Sequence, residues 1–130
     1  MEILLTFDEL KEYVMRHFSK RVDFQREGER SIRATYHMGL LSQSVSLQVA
    51  TIEENCLTIA FQGSMLISSL IKGFRGAIND KLGDGILIYK NNFLIIDLKV
   101  IPQAQALAAA IDIKEVTPSD PALIIKADLK

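Results

Sequence analysis

The sequence predicts an α+β fold: an antiparallel, curved sheet of a meander and hairpins packed on one long amphipathic helix, with a short helix near the N-terminus. Three observations predict it. Residues 64–82 repeat apolar side chains at three- and four-residue steps, the spacing of one helix face. Runs on either side of them alternate apolar and polar residues with period two. Short turn sequences rich in Gly, Asn and Asp join each run to the next. With 130 residues, 48% hydrophobic and 24% charged, the chain can bury one core, and residues 1–130 are expected to form a single α+β domain.

In the long helix, Leu66, Ile67, Leu70, Ile71, Phe74, Ala77, Ile78 and Leu82 make the apolar stripe. Ser64 suits the N-cap, Lys81 the cation-favouring last turn and Gly83 the left-handed residue after the end. Gly73 and Gly76 each cost a helix interior about 1 kcal/mol relative to Ala, which points to close approach of another backbone or a ligand there.

Ahead of that helix, Thr6 and Glu9 have the spacing of a capping box, and Leu10, Val14 and Phe18 give the following helix an apolar face as far as Ser19. Residues 3–5 are a brief strand or a hydrophobic lead-in. From Arg21 the period becomes two. Val22 and Phe24, then Ile32, Ala34, Tyr36 and Met38, flank a turn at Glu27-Gly28; Val45, Leu47 and Val49, then Leu57, Ile59 and Phe61, flank Glu53-Glu54-Asn55. The sum is a four-strand meander over residues 21–62. Beyond the long helix, residues 86–89 and 93–98 form a hairpin about Lys90-Asn91-Asn92, apolar on both faces and so expected to be covered on both. Pro102 opens an Ala-rich turn or short helix, and Ile111, Ile113, Leu123, Ile125 and Leu129 belong to a last hairpin.

Composition narrows function mainly by exclusion. A formal charge of -1 and a pI near 6.1 give no global reason to expect nucleic acid. No run of about 18 apolar residues offers a transmembrane segment, and the start has neither the basic n-region nor the apolar run of a secretory signal, so a cytoplasmic location is expected. Between positions 34 and 71 the only charges are Glu53 and Glu54, where the chain average would put about nine. Such a stretch suits a central buried sheet, or a sheet with one face in the core and the other against a partner or a lipid.

No catalytic, metal or cofactor motif emerges. Cys56 heads an alternating strand without a base nearby and reads as a small hydrophobe. His17 and His37 lack the spaced carboxylates or thiols of a metal site, and Asp97, next to Lys99, reads as a strand residue emerging into solvent. The seven cations and four acids between positions 11 and 33 read as a solvated face laced with ion pairs.

The order of the pieces carries a resemblance. The hairpin VSLQVATIEENCLTIAF, the helix LISSLIKGFRGAINDKL and the hairpins IYKNNFLIIDLKVI and IDIKEVTPSDPALIIKADL together resemble, over residues 45–129, one repeat of the tubular lipid-binding (TULIP) superfamily. That resemblance implies a curved sheet wrapped on a long helix with acyl chains held between them. The expected function is therefore a non-enzymatic binding module with an apolar groove between helix and sheet for a lipid or another hydrophobic ligand. The groove is expected to be lined by Leu66, Leu70, Phe74 and Ile78 from the helix and Leu47, Ile59, Phe61 and Ile96 from the sheet. The alternative is a protein-protein interaction or structural domain, a homodimer for instance, in which the same apolar surface is core and subunit interface.

Overall fold

A computed structural model describes residues 1–63, 87–90 and 92–130. In chain order they form β1 (Glu2–Thr6), α1 (Phe7–Phe18), β2 (Arg21–Arg26), β3 (Ser31–Met38), β4 (Leu41–Glu53), β5 (Cys56–Gln62), β6 (Leu87–Lys90) and β7 (Phe93–Asp97). A 3₁₀ turn (Pro102–Ala104), α2 (Gln105–Ala110), β8 (Ile111–Pro118) and β9 (Ala122–Leu129) follow.

The expected class, one sheet on one long helix, is overturned. The described residues are 59% strand and 20% helix, their helices α1 and α2 are short, and the strands divide between two sheets. The helix expected over residues 64–82 lies outside the described residues. The physical reason for the second sheet is pairing between the chain's ends. β1 joins β9 in antiparallel register from Glu2↔Lys126 to Thr6↔Ala122, and β8 pairs on the other side of β9. The larger sheet has the order β2-β3-β4-β5-β7-β6, so the meander over residues 21–62 forms as expected and the later hairpin adds to it through β7.

Local chemistry explains the ends of the elements. Thr6 accepts the Glu9 amide at 3.1 Å while the Glu9 carboxylate accepts the Thr6 amide at 3.0 Å, a complete capping box at the start of α1. Ser19 closes the helix in the left-handed region, its amide bonded to the Met15 carbonyl. The β3–β4 turn places a positive φ at Gly39, and the β4–β5 turn places one at both Glu54 and Asn55, the signature of a type I′ hairpin.

Two bulges shape the space between the sheets. On β4 the register shifts between Val49 and Thr51, leaving Ala50 as the extra residue. On β8 it shifts between Ile113 and Glu115, leaving Lys114. Ile111, Ile113 and Ala127 of the small sheet form a buried cluster against Ile52 and Leu98 from the β4 and β7 side. Burying an isoleucine side chain contributes about 1.5–3 kcal/mol, so this cluster is a main source of cohesion between the two sheets. The double-sided cover expected for the β6–β7 hairpin is not complete, since Phe93 is 40% exposed.

Candidate functional site

Register decides which of the expected groove residues meet. Leu47 pairs with Phe61 across β4 and β5, Ile59 pairs with Val49 on one side and Leu94 on the other, and Leu57 pairs with Ile96. Directly opposed residues point to the same side of a sheet and successive residues to opposite sides. Leu47, Ile59, Phe61 and Ile96 therefore share one face of the larger sheet, joined there by Ile32 and Val45. Leu66, Leu70, Phe74 and Ile78 lie outside the described residues. Among the described residues an apolar cleft opens between the two sheets.

That cleft, about 100 Å³ in volume, is lined by Ile32, Leu47, Val49 and Ile59 from the larger sheet and by Val116, Pro118 and Leu123 from the smaller. Gln48 and Arg30 complete it. Phe61, 3% exposed, is part of the packed face rather than of this cleft. A wider cleft of about 430 Å³ adjoins it through Arg30, Val49, Val116 and Pro118, and is lined further by Ala50 and Lys114, the two bulge residues. Bulges re-aim side chains and open gaps in pairing, which is why the space lies at this level of both strands.

The opposite face of the larger sheet is polar. Thr35 and Ser44 share a hydrogen bond at 3.0 Å, and Glu27 accepts from Ser46 at 2.6 Å and from Arg33 at 2.7 Å. These two bonds hold the Glu27 carboxyl below its ordinary value, the Ser46 bond having the larger effect. Near α1, Asp23 bridges Lys11 at 2.8 Å and His37 at 2.6 Å. His17 stacks against Tyr13 at 4.3 Å between ring centroids, so the two histidines have separate surroundings. With Arg26 3.9 Å from Asp120, three of the seven cations are ion-paired to described residues.

Cys56 and Asp97 face each other across β5 and β7. Burial pushes the Cys56 thiol up, and the charge of Asp97, its partner across β5 and β7, adds to that, which is the reverse of what a nucleophile needs. Asp97 accepts the Lys99 amide at 3.0 Å, a turn-stabilising bond at the end of β7. Among the described residues no group of three or more His, Cys, Asp and Glu side chains could hold a metal ion, and no helix is long and apolar enough to cross a membrane.

Sequence reasoning missed Arg30, Val116 and Leu123 as cleft residues. Val116 and Leu123 come from a sheet that periodicity could not separate from the first, and Arg30 read as one cation in a mixed-charge stretch. No family model matches the chain, no curated protein matches it and no solved structure matches it.

Proposed function

We propose that the chain is a non-enzymatic binding module that takes a hydrophobic ligand, a lipid or another apolar molecule, against the apolar face of the larger sheet. The observation that carries this reading is the cleft between the sheets, whose walls are aliphatic from both sides. Its volume of about 100 Å³ is below the roughly 300 Å³ at which drug-sized pockets begin, so the cleft fits a short chain or the end of a longer one. The resemblance to tubular lipid-binding proteins is the reason for putting lipids first among ligands to try. A formal charge of -1 gives no global attraction to nucleic acid, which supports an apolar ligand over a polyanionic one.

The test is extraction of the purified protein with organic solvent, mass spectrometry of the extract, and titration with a fluorescent fatty acid. A co-purifying apolar molecule, or saturable binding weakened in Leu47→Gln with circular dichroism unchanged, is the expected result. An empty extract together with no saturable binding would overturn the reading.

A second reading, self-association or docking to another protein, draws on one specific observation. Leu40 and Leu41, at the tip of the β3–β4 hairpin, are 105% and 68% exposed, a projecting apolar pair that a water-facing turn does not need. Sedimentation over a hundredfold dilution range separates the two, since a dimer held by this tip dissociates in Leu40→Ser and a ligand-binding monomer does not change.

A further inference from the structure

We infer that Arg30 makes the inter-sheet cleft selective for a small amphiphilic anion, a short alkyl chain ending in a carboxylate. The inference rests on the ligand-binding reading and adds the chemistry of the head group.

Among the described residues Arg30 is the one charged residue lining the apolar cleft, and it lines the adjoining wider cleft as well, so it stands where the two meet. Apart from Glu29, the charged residues near it in sequence or lining the wider cleft are engaged. Arg26 donates to the Gly28 carbonyl at 2.9 Å, Arg33 pairs with Glu27, and Lys114 pairs with Asp112 at 2.8 Å. Glu115 accepts from Thr117 at 3.0 Å and lies 3.8 Å from Lys126. Arg30 has no ion pair or hydrogen bond to another side chain among the described residues, although it belongs to a loop whose backbone is fixed by the Glu27 and Gly28 amides bonding the Ser31 carbonyl. Its five donors in a planar fork match a carboxylate.

Position supplies the rest. An alkyl tail among Leu47, Val49 and Val116 brings its head to Arg30, because among the described residues no other charge borders that space. Glu29 and Glu115 line the wider cleft and not the apolar one, so the side of Arg30 that faces the aliphatic walls is where an anion meets no carboxylate among the described residues. The small volume limits the tail to a few carbons, which is why a short-chain carboxylate fits better than a long fatty acid.

The experiment is a titration of the full chain with hexanoate and with hexan-1-ol, followed by amide chemical shifts, for the wild type, Arg30→Gln and Arg30→Lys. Hexanoate is expected to shift the amides of Val49, Val116 and Leu123 and to bind more tightly than the alcohol. Arg30→Gln is expected to weaken hexanoate about fivefold, the loss of an exposed charge pair, and to leave hexan-1-ol unchanged, with Arg30→Lys intermediate. If both probes bind the cleft equally and Arg30→Gln weakens neither, the anion preference is wrong while the binding module survives. If neither probe binds and the fluorescent fatty acid does not either, both fall. Shifts confined to residues away from the cleft would overturn the assignment of the site.

Discussion

The side-chain oxygen of Asn55 accepts the backbone amide of Ile113 at 2.9 Å, tying the turn between β4 and β5 to the bulged strand of the other sheet. The same carboxamide donates at 3.0 Å to the carbonyls of both Ala108 and Ile111, and the Asn55 carbonyl accepts the Leu98 amide at 3.0 Å. Asn55 is 0% exposed, so its carboxamide would be buried without partners but for these bonds; the Ala108 carbonyl also accepts from the Lys130 ammonium at 2.8 Å. One residue thus joins β7, α2, β8 and the β4–β5 turn.

Asn55→Ala is accordingly expected to destabilise the protein by about 3–5 kcal/mol, because it strands buried backbone groups and puts a β-carbon residue with no compensating polar side chain at positive φ. Chemical denaturation gives the value. A loss below about 1 kcal/mol would show that water replaces the carboxamide and that the two sheets are held together otherwise.

Thr6→Ala removes the side-chain acceptor for the Glu9 amide and leaves the reciprocal bond from the Thr6 amide in place. The expected cost is about 1 kcal/mol, the ordinary value for an N-cap. Measuring Thr6→Ala beside Thr6→Ser separates the hydroxyl from the methyl group, and equal losses in the two would count against the cap as the cause.

What was legible in the sequence was what short-range chemistry determines. Thr6 and Glu9 announce a capping box because both partners lie within one helical turn, and the alternation through Leu47 and Ile59 places them on one face because side-chain direction in a strand has period two. What was not legible depends on partners far apart in the chain. Nothing in residues 2–6 states that they pair with β9, a contact extended by the Met1 amine bonding the Ala127 carbonyl at 2.6 Å. Asn55 reads as a turn former in sequence, and its role as a buried bridge appears only once residues more than 50 positions away arrive beside it. Leu47, Ile59, Phe61 and Ile96 share a sheet face as their alternation implies, whereas the strands that border the described cleft from the other side, β8 and β9, could not be assigned to a second sheet by hydrophobic pattern.

Asp23 links α1 to the β2–β3 hairpin, and its hydrogen bonds with Lys11 first and His37 second hold its carboxyl below the ordinary 3.8. A carboxyl lowered on folding contributes stability that is present above its ordinary value and is lost as pH falls through the lowered one. Asp23→Asn should therefore be less stable than the wild type at pH 6, with the difference closing as pH drops below about 4. The Asp23 side chain is 42% exposed, so solvent screening holds the difference to about 1 kcal/mol or less. Denaturation midpoints of both proteins across pH 2.5–7 in one buffer series test this; a gap that stays constant with pH would remove Asp23 as its source.

Cys56 provides a chemical check on the fit between the β5 and β7 strands. Burial is the first cause and the Asp97 charge the second of a thiol pushed above its ordinary 9.0, so at pH 8 less of it is thiolate than in a free cysteine. Since the thiolate is the reacting species, alkylation by iodoacetamide in the folded protein is expected to be several-fold slower than in a short unstructured peptide, and to rise to the peptide rate in denaturant. Asp97→Asn removes the charge that contributes second, and should raise the rate modestly while leaving burial to account for most of the protection. A folded protein that reacts as fast as the peptide would mean that β5 opens on the timescale of the labelling, and the register that sets Cys56 opposite Asp97 would then be transient rather than fixed.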